Sequence, residues 1–120
     1  MSKNSYEKLS KKFKIIYLAG LFDGEGSFGF WSKGKNRGRI FECKVEMADK
    51  DLILRFKDMF GGWLFFAKRR KLKHKDTWCW RDRGPRAFAI IDKMINFMSK
   101  RRQEKYYVVK RNKISSLSRK

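Results

Sequence analysis

The 120-residue sequence holds two cysteines, one histidine and one proline. Cys43 and Cys79 are widely spaced with no second pair, which argues against a disulfide framework and a cysteine zinc site. A single histidine leaves out the usual ligands of a catalytic zinc centre. With Pro85 alone and no repeat or low-complexity linker, the chain reads as one domain over 1–120, its core spanning about 10–114 between basic terminal tails. Long apolar runs are missing as well: Ile15 to Phe22 is too short to cross a bilayer, and no signal-peptide core follows Met1. A soluble intracellular protein with no membrane partner and no small-molecule substrate is expected. The scarcest charge is negative, 12 Asp plus Glu against 32 Lys plus Arg, for a net +20. That surplus repels itself in a compact fold unless a polyanion neutralises it, so nucleic acid is the leading partner.

What is present fills one core, at 42% hydrophobic and 16% aromatic residues. From about Lys14 to Gly24, apolar residues cover nearly every helical face (Ile15, Ile16, Tyr17, Leu18, Ala19, Leu21, Phe22), which predicts a helix buried all round. Ser27–Ser32 and Arg39–Met47 are strand-like and joined by a polar hairpin connection, Lys33 to Gly38. Phe41, Cys43 and Val45 alternate with Ile40, Glu42, Lys44 and Glu46, so one strand face is core and the other largely polar. Asp49 is placed to cap a helix carrying Leu52, Ile53, Phe56, Met59 and Phe60, stopped by Gly61-Gly62. A second strand pair, Trp63–Arg70 and about Lys75–Asp82, flanks the basic turn Lys71-Leu72-Lys73-His74, with Trp78 and Trp80 toward the core. Pro85 opens a helix with Phe88, Ile91, Ile95 and Met98 in register, and a last helix runs from about Lys100 to Ile114. The order αββαββαα is an α+β fold, with helices packed on one face of a four-stranded antiparallel sheet.

The other face of that sheet is the expected DNA surface. Pleat parity and the basic hairpins nominate Trp31, Lys33, Arg37, Arg39, Ile40, Glu42, Lys44, Lys68, Arg70, Lys75, Thr77, Cys79 and Arg81. A twisted antiparallel ribbon fits a major groove, where an arginine forks onto guanine and a glutamate accepts from cytosine. The segment Leu18-Ala19-Gly20-Leu21-Phe22-Asp23-Gly24-Glu25-Gly26 adds two acids at a helix C-terminus, where unpaired carbonyls already carry partial negative charge. A compensating cation is required. Asp23, Glu25 and the Gly24 carbonyl make a hard oxygen cluster suited to Mg2+ or another divalent ion. Gly20 and Gly24, four residues apart, allow close approach of a second helix, and a second copy of the chain is the economical partner. A core helix closing on a loop, with Asp23 as a local cap, is the plainer alternative.

This segment resembles the signature of the LAGLIDADG homing endonucleases, and the element order over roughly 10–114 is similar to that family's repeating unit. The resemblance implies a single-motif, homodimeric member that makes a staggered double-strand break in a long, near-palindromic DNA site by metal-dependent phosphodiester hydrolysis. Glu25 then takes the place of the metal-binding carboxylate, usually Asp, and the Gly24 carbonyl also reaches metal, while Asp23 is structural. Leu18, Ala19, Gly20, Leu21, Asp23 and Gly24 form the dimer interface. Met47 occupies a position that is often polar, and Lys100 or Arg101 is the basic residue near the reacting phosphate. Such proteins are encoded by mobile introns in organelles, phages or microbes. A catalytically silent DNA- or RNA-binding protein of the same fold, a maturase-like splicing cofactor or a regulator, is the alternative.

Overall fold

The structure, a computed structural model, describes residues 5–68 and 76–118, with 113–118 by backbone only. A 3-10 turn (Ser5–Lys8) leads into α1 (Lys11–Glu25), β1 (Gly26–Ser32), β2 (Arg39–Met47), α2 (Lys50–Phe60), β3 (Trp63–Ala67), β4 (Thr77–Arg83) and α3 (Pro85–Met94). A second 3-10 turn (Ile95–Phe97) and α4 (Lys100–Ser118) follow. The strands form one antiparallel sheet in the order β1-β2-β4-β3. This is the expected αββαββαα arrangement.

Strand alternation sets the layers. Phe28, Phe41, Cys43, Val45 and Trp80 turn to the helices, where they are enclosed with Leu18, Phe22, Ile53, Phe56, Phe88, Ile91 and Tyr106. Each large apolar side chain so enclosed contributes about 1.5–3 kcal/mol. Trp80 stacks on Phe56 at 5.1 Å, and its indole N–H donates to the Gly61 carbonyl at 2.7 Å, so its polar atom is satisfied as the ring is buried. Gly61 (φ 74) and Gly62 (φ 87) stop α2 in the left-handed region, and a Cβ on Gly62 would come within 2.7 Å of the Arg81 carbonyl.

Several boundaries move from their expected places for local reasons. Helix α1 begins at Lys11 rather than near Lys14, because the Ser10 hydroxyl accepts from the Phe13 N–H at 3.3 Å. Asp49 does stand at the N-cap of α2, but its side chain makes no capping bond. Helix α3 gives way to a 3-10 turn at Ile95, where the Gln103 amide donates to the carbonyls of Ile95, Asn96 and Met98. Strand β3 ends at Ala67. Arg70, Lys75 and the Lys71–His74 turn lie outside the described residues.

Both cysteines are buried, and burial pushes the Cys43 thiol up to about 12 and that of Cys79 to about 11. Because the folded chain keeps both thiols neutral where the unfolded chain ionises them, stability should fall as pH rises from the ordinary thiol value of 9.0 toward 11 to 12. At pH 8 neither thiol should react with an aromatic disulfide reagent until the protein unfolds. Rapid release of chromophore from native protein would contradict this packing.

Candidate metal and nucleic-acid site

The C-terminal end of α1 is held by the start of α4. The Ser99 backbone N–H and hydroxyl both donate to the Asp23 carboxylate at 3.0 Å. The Arg102 guanidinium, almost fully buried, donates to the carbonyls of Asp23 (3.2 Å) and Gly26 (2.7 Å). The cation demanded by an acid-ended helix is therefore supplied in part by Arg102, a residue that sequence reasoning passed over within a run of basic neighbours. Asp23 is thus tied to Ser99 and Arg102 within the protomer.

Lys100 and Arg101 open α4 beside this junction and are exposed. Burial lowers the Arg102 pKa, Arg101 adds to the lowering, and Asp23 opposes it. Lys105 is lowered too, first by burial and then by Arg102 and Arg101, with its ammonium 4.7 Å over the Phe28 ring. Arg101, Arg102 and Lys105 thus crowd positive charge against the junction of α1 and β1. Arg102→Met should cost about 2–3 kcal/mol in denaturant unfolding, because the two carbonyls and Asp23 lose their partner in a dry environment. A loss below about 0.5 kcal/mol would mean that Ser99 alone holds the junction.

Glu25 projects from this junction differently. It is exposed, and among the described residues it makes no hydrogen bond or ion pair. Arg102 takes the carbonyls on either side, while that of Gly24 receives no donor from the described residues. The passage from Glu25 into β1 is tight: a Cβ on Gly26 would lie 2.5 Å from the Phe22 ring. Glycine is required there by close approach, and the contact fixes where Glu25 leaves the helix. A carboxylate and a carbonyl oxygen are suitable donors for a hard divalent cation. No group of three His, Cys, Asp or Glu residues able to hold a metal occurs among the described residues. Met47 ends β2 opposite Trp78 and packs beside the core, so it offers no polar contact to the junction.

Helix α1 has two apolar faces with different fates. Leu18 and Ala19 are fully enclosed in their own core, so they cannot meet a second copy, against expectation. Phe13 (57% exposed), Tyr17, Gly20 and Gly24 line the open face, with Ile16 and Leu21 half-buried at its margins. A Cβ on Gly20 or Gly24 would meet nothing within 4 Å. Gly20 and Gly24, one turn apart, are the mark of this stripe in the sequence.

The sheet face away from the helices carries Trp31, Ile40, Glu42, Lys44, Thr77, Cys79 and Arg81, as parity predicts. Two of these are unavailable as contacts. Glu42 is buried and accepts from the Arg83 Nε at 2.6 Å, and Cys79 has only 2% of its surface exposed. Lys68 lies beyond the end of β3, outside the sheet register. Arg39 shares the phase of Phe41 but is exposed at the strand start, next to Lys33 and Arg37 in the exposed β1–β2 hairpin. Arg83, Trp63 and Phe65 also lie on the open face, because β4 runs one residue further than expected and β3 pairs Trp63 with Arg81 and Phe65 with Cys79.

No protein-family model matches this sequence, and no curated protein matches it in sequence. Solved structures do match in shape. The homing endonuclease I-CvuI in complex with its target aligns with a TM-score of 0.66 and 15% identity, over 83% of this chain and 66% of that one. The I-SmaMI LAGLIDADG homing endonuclease bound to cleaved DNA gives 0.59 and 19%, over 81% and 34%. The LAGLIDADG meganuclease I-CpaMI bound to uncleaved DNA gives 0.60 and 20%, over 81% and 34%. The chain thus spans 66% of the first of these chains and about a third of the other two. No described helix is long and apolar enough to cross a membrane. The chain has the fold of the LAGLIDADG homing endonucleases, with the segment that resembles their signature lying at the end of α1 and its passage into β1.

Proposed function

We propose that this protein is a divalent-metal-dependent, site-specific DNA endonuclease that works as a homodimer. The observation that carries the reading is Glu25, an exposed carboxylate without a partner among the described residues, on a helix whose open face is apolar and interrupted by Gly20 and Gly24. Two copies crossing through that face bring two Glu25 carboxylates near one axis, and each lays its sheet along one half-site. Glu25 and the Gly24 carbonyl are the residues that would hold Mg2+ or a similar cation. When bound, that ion supplies the Lewis-acid charge for phosphodiester hydrolysis. Arg102 and Ser99 hold the junction so that Glu25 leaves it in one direction, while Lys100 or Arg101 presents positive charge to the phosphate under attack. The basic β1–β2 hairpin anchors the backbone, and the net +20 of each chain makes binding steeply salt-dependent. A two-fold protein reads a near-palindromic site and cuts each strand once, leaving a staggered break.

The direct test is to select duplexes from a randomised pool and incubate them with protein and Mg2+. Paired cuts within the selected sequence are expected, and none with a chelator. Tight, selective binding that never yields a cut would sink the nuclease reading. One observation favours a catalytically silent nucleic-acid-binding protein instead: Arg102 already compensates much of the helix end, so the junction holds without a metal.

A further inference from the structure

Solvent-facing edge strands normally carry charge or proline to prevent unwanted pairing. Strand β3 is an edge strand, Trp-Leu-Phe-Phe-Ala, with neither. Trp63 (56% exposed) and Phe65 (38%) lie with Ala67 on the open sheet face, opposite Arg81, Cys79 and Thr77 in register. Arg81 spreads its guanidinium over the Phe65 ring at 4.9 Å, and Cys79 is covered. The β3 edge of this face therefore presents aromatic and small apolar side chains, whereas the neighbouring β2 carries Glu42, Lys44 and Glu46.

Basic residues are concentrated in the segments that join the strands: Lys33, Lys35, Arg37 and Arg39 sit in or beside the β1–β2 hairpin, and the sequence that follows β3 contains Lys68, Arg69, Arg70, Lys71, Lys73 and Lys75. An occupant complementary to this composition carries both phosphates and apolar groups. In a duplex major groove the one apolar group on a base edge is the thymine C5-methyl. We propose that Trp63, Phe65 and Ala67 form a specificity strip that reads thymine methyls in the outer part of each half-site. This inference rests on the DNA-reading role above and adds to it a chemical rule for part of the target.

The test uses the wild-type protein and a duplex selected from a randomised pool. Replacing thymine by deoxyuridine at the selected outer positions removes the methyl and leaves base pairing intact. Binding should weaken about three- to fivefold for each methyl contacted. The Trp63→Ser, Phe65→Ser double variant should bind thymine and uracil duplexes alike, with the salt dependence of binding unchanged. Equal binding of the two duplexes by wild-type protein overturns the strip and leaves the nuclease reading standing. Failure to select any duplex at low salt overturns both. A pool enriched as single strands, or a double variant that falls to monomers with its thymine preference intact, also overturns the strip, assigning it to base stacking or to chain–chain contact.

Discussion

Glu25→Gln should lower the cleavage rate by about a thousandfold or more while leaving affinity for the selected duplex within about threefold. The substitution keeps size and shape but removes the negative charge that draws a divalent ion to the end of α1. A Lewis acid at a phosphoryl centre is worth several kcal/mol, and about 4 kcal/mol corresponds to a factor of a thousand. Folding should not suffer, because Glu25 is exposed and holds nothing together among the described residues. Asp23 gives the contrasting result. Asp23→Asn weakens both bonds to Ser99 and the ion pair with Arg102, so stability and activity should fall together. Parallel losses of binding and cutting in Glu25→Gln would instead assign Glu25 a structural role.

The second large effect concerns the open face of α1. Gly20→Leu should raise the stability of the isolated protomer by about 0.5–1 kcal/mol, since glycine is the poorest helix former after proline and a Cβ at this position meets nothing within 4 Å. In the same variant the dimer should weaken by about a thousandfold, because a leucine holds two helix backbones apart where glycine lets them touch. Double-strand cutting should disappear with it. Opposite signs for protomer stability and association are hard to obtain by general damage. Sedimentation at several concentrations and thermal unfolding read the two separately, and an unchanged dimer would remove α1 from the interface.

The sheet was legible in the sequence because a period of two leaves few choices: once Phe41, Cys43 and Val45 point inward, Ile40, Glu42 and Lys44 must point out. Helix α1 was legible as a helix but not in its orientation. Apolar on every side, it gave no reason to assign Leu18 and Ala19 to the core and Phe13 and Tyr17 to the surface. The Arg102 contacts were hidden for another reason. Asp23 and Arg102 lie far apart in the chain, and neighbouring cations of equal propensity surround the arginine. Charge chemistry said that the helix end needed a cation without saying which one. Glu42 shows the same limit, since its partner Arg83 became visible only when β4 was seen to extend beside it. In β3 the pairing puts Trp63 and Phe65 on the open face, a phase the sequence leaves open because large apolar residues stand at successive positions from Trp63 to Phe66.

The proposed cleavage needs two Glu25 carboxylates, one from each copy, acting at one DNA site. Mixed dimers, each with one wild-type protomer and one carrying Glu25→Gln, can be isolated with two affinity tags and given a supercoiled plasmid bearing the selected site. Wild-type dimers should linearise the plasmid in Mg2+, and mixed dimers should stop at the nicked circle, cutting one strand at a rate within about tenfold of wild type. Linear product from mixed dimers at the wild-type rate, or full cleavage by a wild-type monomer, would contradict the pairing of the two carboxylates.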